Sequence, residues 1–119
     1  MRLSIPAAAT ALMLAAMPSA FAHAYLKKSS PAAGAVVAPG VSSLLLTFTE
    51  AVQPKFCKVS VTDSMGMHAD TGAPRTVPGH ANELSVPVHF QMAGKYMVKW
   101  HALSVDTHKT HGSYSFTVS

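Results

Sequence analysis

The chain has 119 residues and a formal charge of +4, with nine basic residues scattered along it against five acidic ones. That scatter excludes a polyanion-binding strip, and with aromatics at only 8% and no base-stacking signature, nucleic acid is excluded as a partner. A single cysteine, Cys57, excludes an intramolecular disulfide.

Residues 1–22 read as a secretory signal peptide. Arg2 supplies the positive n-region, Ile5 to Met17 is an uncharged Ala/Leu/Met-rich run, and Ala20-Phe21-Ala22 is an A-x-A cleavage site. The apolar run is shorter than the ~20 residues a bilayer-spanning helix needs. Cleavage after Ala22 leaves 97 residues, 23–119, beginning at His23 and lacking the charge of Arg2. That length suits one domain with a modest core.

From there the pattern is all β. Leu44, Leu46 and Phe48 alternate with Leu45, Thr47 and Thr49. In Phe56-Cys57-Lys58-Val59-Ser60-Val61, the thiol shares parity with two valines and is expected to be buried and inert. Leu84, Val86, Val88 and Phe90 form the next alternating set, with Pro87 inside the run suggesting an edge strand or a bulge. Tyr96, Val98 and Trp100 follow, then Tyr114, Phe116 and Val118. Such alternation marks strands with one buried and one wet face. Pro31 to Gly34, Pro39-Gly40, Pro78-Gly79 and Ala93-Gly94 supply the turns between them. Short strands spaced in this way predict a small antiparallel sandwich or barrel. Nothing in the sequence demands more than a monomer.

The chemistry-bearing residues gather at the two ends of the cleaved chain. In Val105-Asp106-Thr107-His108, an extended backbone puts Asp106 and His108 on one side, with His111 three residues on. A chain beginning at His23 offers an α-amine and an imidazole on one residue, which close a chelate ring on one ion. Three nitrogens and one carboxylate oxygen from His23, Asp106 and His108 suit the tetragonal preference of Cu(II). The bland alternative is a chance cleavage position and an ordinary polar loop. His80, His89, His101 and His111 read as surface histidines, His111 being the least settled.

These features resemble the CopC/YobA family of periplasmic copper-resistance and copper-homeostasis proteins. The resemblance rests on His23-Ala24-Tyr25-Leu26, Ser30 to Gly34, Leu46-Thr47-Phe48-Thr49-Glu50, Gly94 to His101, Ser104 to His108 and Gly112 to Val118. It implies a seven-stranded antiparallel Greek-key β-sandwich, immunoglobulin-like or cupredoxin-like. It also implies Cu(II) bound through the amine and ring of His23, Asp106 and His108. Glu50, at the family's Phe-x-Glu position, is a candidate to orient a ligand. Met65, Met67 and His68 resemble a shortened form of the methionine-rich Cu(I) loop of some members, with soft sulfur donors but few of them. The function implied is periplasmic capture and buffering of copper, copper resistance, or delivery to a CopD-type inner-membrane importer or another periplasmic copper protein, without enzymatic activity.

Two other classes compete. An N-terminal histidine chelating copper also resembles the histidine brace of lytic polysaccharide monooxygenases, oxidative enzymes with open copper positions and a flat aromatic surface. Against it stand Asp106 near the metal and a single tryptophan, Trp100, whose parity points inward. A structural or adhesive sandwich with incidental histidines is the third, and it predicts no stoichiometric metal.

Overall fold

The computed structural model describes residues 24–119. The signal-peptide assignment, its cleavage after Ala22, and His23 lie outside the described residues. Within them are eight strands: β1 (Leu26–Ser30), β2 (Val36–Val37), β3 (Ser43–Phe48), β4 (Lys58–Thr62), β5 (Arg75–Val77), β6 (His80–Pro87), β7 (Gly94–Leu103) and β8 (Lys109–Val118). They form two four-stranded sheets, ordered β1-β3-β6-β5 and β2-β8-β7-β4. Among these strands, β5–β6 and β7–β8 are hairpins, and every other connection passes between sheets in the Greek-key manner. No helix among the described residues is long and apolar enough to cross a membrane.

The β-sandwich expected from the alternation is present, with two differences. There are eight strands rather than seven, and one pair is parallel. The two-residue β2 runs alongside the end of β8, Val36 opposite Thr117 and Val37 opposite Val118. The Ala35 carbonyl accepts from Thr117 N–H and the Val37 carbonyl from Ser119 N–H. Two residues are too few to show a period in sequence. Pro87 also sits otherwise than expected. It lies on β6, which is flanked by β3 and β5, not on an edge. It ends that strand opposite Ser43, beyond the reach of β5, so its missing N–H costs no ladder bond on that side.

The inward faces are those the alternation marked. Leu44, Leu46 and Phe48 from β3 and Leu84 and Val86 from β6 meet Tyr96, Val98 and Trp100 from β7 and Phe116 and Val118 from β8. Phe48 and Trp100 bridge the sheets edge to face at 5.3 Å. Phe90, Tyr96 and Phe116 form a second aromatic group at 4.7–5.9 Å, and the Tyr96 hydroxyl donates to Met92 O at 2.7 Å. Such pairs contribute about 0.5–1.5 kcal/mol each beyond the area they bury. Cys57 is buried, in phase with Val59 and Val61, and its thiol donates to Gln53 O at 3.2 Å.

Glycine is required where Trp100 crosses the β7–β8 ladder. Gly112 is its cross-strand partner, and a Cβ there would fall 2.7 Å from Trp100 Cζ2. The indole therefore lies directly on the β8 backbone and locks the register of the hairpin that carries the loop described next.

Candidate metal centre

The β7–β8 connection, residues 104–108, is a tight turn held from both sides. Ser104 N–H donates to His108 O at 3.0 Å and Thr107 N–H to Ser104 O at 2.9 Å, closing the turn on itself. Thr107 adopts a left-handed φ of 71°, uncommon for a β-branched residue. The connection between β3 and β4, which crosses from one sheet to the other, staples the outside. Val105 N–H donates to Ala51 O at 3.1 Å and Gln53 N–H to Leu103 O at 2.9 Å, while the Gln53 side-chain amide donates to Ser104 O at 2.9 Å.

This frame brings Asp106 and His108 together. His108 Nδ1 lies 3.2 Å from Asp106 Oδ1, and both side chains stay about half exposed. The cause differs from the one expected. Asp106 lies in a turn, so it is the reversal through Thr107, rather than strand parity, that makes the two converge. Ser104 is the hub. Its hydroxyl donates a short hydrogen bond to the Asp106 carboxylate and accepts from His108 N–H at 3.1 Å. The Ser104 hydroxyl and, after it, the His108 ring hold the Asp106 carboxyl below its ordinary pKa, so it stays an anionic oxygen donor. With Nδ1 turned to Asp106, the Nε2 edge of His108 faces away from the carboxylate.

The start of the described chain reaches the same end of the sandwich. Ala24 is wholly buried. Its carbonyl accepts a 2.6 Å hydrogen bond from the Thr110 hydroxyl, two residues past His108. Tyr25 is held on the other side, its N–H donating to Thr49 Oγ1 at 3.0 Å and its carbonyl accepting from Thr49 N–H at 2.8 Å. Glu50 follows Thr49 at the end of β3, half-buried, one residue before the Ala51 carbonyl that holds Val105. Among the described residues no group of three or more His, Cys, Asp or Glu side chains converges. The loop therefore presents two candidate donors, and Ala24, the neighbour of His23, is fixed beside them.

The methionine segment lies in an exposed turn. Residues Asp63 to Met67 form a turn in which Asp63 Oδ1 accepts from Met65 N–H and Met67 N–H, both at 2.9 Å. Strand parity therefore does not relate Met65 to Met67. Met67 and His68 line a small hollow together with His89, and Met65 is not part of that lining but stands out in solvent. The His68 ring is oriented by Asp70 at 3.0 Å. Ser104 and Thr110 are residues whose part in this arrangement no sequence signal marked, while His89 is the exposed histidine expected. Ser104 acts through a turn and Thr110 through a long-range contact, and an isolated serine or threonine carries no periodic signal.

The CopC domain profile matches residues 26–119. The chain belongs to the CopC family. Within that family it is 36% identical to protein YobA of Escherichia coli K12 over 107 residues, covering 85% of this chain and 82% of that one. It is 38% identical to copper resistance protein C of Escherichia coli over 108 residues, 84% of each chain. Among solved structures, CopC from Methylosinus trichosporium OB3b superposes with a TM-score of 0.75 at 31% identity, over 82% of this chain and 94% of that one. The CopC domain as matched thus begins two residues after Ala24 and includes the whole Ser104–His108 turn.

Proposed function

We propose that this CopC-family chain is exported to the periplasm by cleavage after Ala22 and captures Cu(II) there through the α-amine and ring of His23, the Asp106 carboxylate and the His108 ring. The observation that carries the reading is the Thr110–Ala24 hydrogen bond. It anchors the residue next to His23 two positions from His108, and one trans peptide moves the chain only about 3.8 Å between Cα atoms. Membership of a family that includes a copper resistance protein supports copper as the cargo.

The donor chemistry fits the ion. Two imidazoles, an amine and a carboxylate make a nitrogen-rich tetragonal set that favours Cu(II). Ser104 keeps the carboxylate ionised and aimed, as metal-site carboxylates require of their hydrogen-bond partners. Glu50, beside the Ala51 staple, orients the N-terminal donors. Transfer to a recipient, an inner-membrane importer of the CopD type or another periplasmic copper protein, begins by lifting the chain end. Met67, His68 and His89 form a weaker Cu(I) position, with Met65 able to join only by swinging out of solvent. The protein buffers or delivers copper and performs no catalysis.

The test is a Cu(II) titration with EPR on protein beginning at His23, beside protein carrying one extra residue before His23. Tight one-to-one binding with a nitrogen-rich tetragonal spectrum, lost or remodelled by the extension, is expected. Equal binding by both proteins overturns the N-terminal chelate.

A further inference from the structure

A row of basic side chains runs across the outer face of the second sheet and takes no part in the site above. Lys58 on β4 is the cross-strand partner of His101 on β7, and His101 is the cross-strand partner of His111 on β8. Directly opposed residues of an antiparallel pair keep their Cβ atoms about 4.5–5.5 Å apart on one face. Both imidazoles are exposed, and their rings lie nearly parallel, 28° apart, with centroids separated by 5.8 Å. The next rung of the same ladder is Trp100 opposite Gly112, where the indole admits no side chain on β8. The two histidines therefore sit on backbone whose register is locked.

We propose that His101 and His111 form a second, bidentate site for a borderline divalent cation such as Zn(II) or Cu(II). Neutral imidazole is the common ligand of these ions. An ion held about 2.0–2.1 Å from one nitrogen of each ring lies about 3 Å from each ring centroid, so two rings sharing it sit at most about 6 Å apart. The observed 5.8 Å is within that reach. Capture needs rotation of the two rings about χ2, while the strands stay in place. Pre-organisation of this kind removes part of the ordering cost of binding.

Two protein donors leave the remaining positions to water, so this site is open and exchanges its ion readily. The groove beside it, lined by Phe56, Lys58, Leu103 and Lys109 as well as both histidines, leaves room for a hydrated ion. Lys58 and Lys109 oppose the added charge, which places the pair second in affinity to a four-donor site. His111 lies three positions beyond His108, about 10 Å along an extended chain. The proposal does not depend on His23, Asp106 or His108 binding copper.

The test uses Zn(II), which is diamagnetic, and follows all histidine ring resonances by NMR in the protein beginning at His23. The His101 and His111 signals are expected to shift together with a single dissociation constant. Chelation makes the two rings one unit, so H101A should weaken the response of His111 at least tenfold, and H111A should do the same to His101. The H108A variant should retain the paired response in full, which separates failure of this site from failure of the proposed Cu(II) site. An unchanged response of one histidine after removal of the other, or no shift in either up to millimolar Zn(II), overturns the proposal.

Discussion

The Thr110 hydroxyl donates to the Ala24 carbonyl across 86 positions of sequence, in a buried 2.6 Å hydrogen bond. This contact ties the beginning of the described chain to the strand that leaves the Asp106–His108 turn. Replacing Thr110 with valine keeps the shape and removes the donor. The buried carbonyl is then left without that partner, at a cost of about 1–3 kcal/mol. Chemical denaturation should show that loss, and hydrogen exchange should show faster opening around Tyr25. Cu(II) affinity should fall at least tenfold in protein beginning at His23. Unchanged affinity in a folded T110V would detach the chain end from the metal site.

Ser104 makes a different prediction. Its hydroxyl bonds both the Asp106 carboxylate and His108 N–H, yet in the proposed site it does not itself touch the ion. Loss of such a supporting partner costs metal sites about 10–100-fold in affinity. S104A should therefore weaken Cu(II) binding by that factor in isothermal titration. The Asp106 carboxyl, no longer held down chiefly by Ser104, should titrate at higher pH in carbon-detected NMR of the metal-free protein. A variant that binds copper as tightly as the parent would reduce Ser104 to a turn residue.

Gly112 tests the locked register. A methyl group added at that position meets side-chain atoms of the Trp100 indole at 2.7–3.0 Å. Because Trp100 is also packed on Phe48 from the opposite sheet, it has little room to yield. G112A should destabilise the fold by about 1–3 kcal/mol, the usual range for overpacking. Thermal unfolding measures it directly. A neutral result would mean that the indole is freer than its contacts indicate.

Cys57 gives a pH dependence with a definite sign. Burial pushes its pKa above the ordinary 9.0, partly offset by backbone hydrogen bonds at Leu103 and Gln53. A raised folded pKa means that the native state binds the proton more tightly than the unfolded chain. The resulting stability is fully present below about pH 9 and is lost as pH rises from there through the folded pKa. C57A should remove this component, so that parent and variant converge in relative stability as pH climbs past 9. Alkylation of the parent at neutral pH should be slow until the protein is unfolded.

The strands with clear alternation were legible because side-chain parity is a local property of extended backbone. Leu44, Leu46 and Phe48, or Tyr96, Val98 and Trp100, declare their buried face within six residues. The two shortest strands were not legible. Val36–Val37 and Arg75–Val77 are strands only because a neighbouring strand supplies hydrogen bonds, and two or three residues hold too little of any period. Pro87 shows the same limit. Its place at the end of an interior strand depends on where β5 stops.

The site divides along the same line. Sequence by itself marked the candidate donor types, a carboxylate and an imidazole with one residue between them, and the family. It also marked the inward parity of Trp100, which is buried against Phe48 and so offers no flat aromatic surface. Tertiary structure alone decided that Asp106 and His108 meet through a left-handed turn at Thr107 and that Ser104 gathers them. It decided too that Thr110 holds Ala24 and that His101 faces His111 across the ladder. The first two arise inside the folded turn, the third joins segments far apart in the chain, and the fourth rests on the register of the β7–β8 hairpin. Turn closure at Thr107 and strand register are set by the packed fold, and side-chain parity encodes neither.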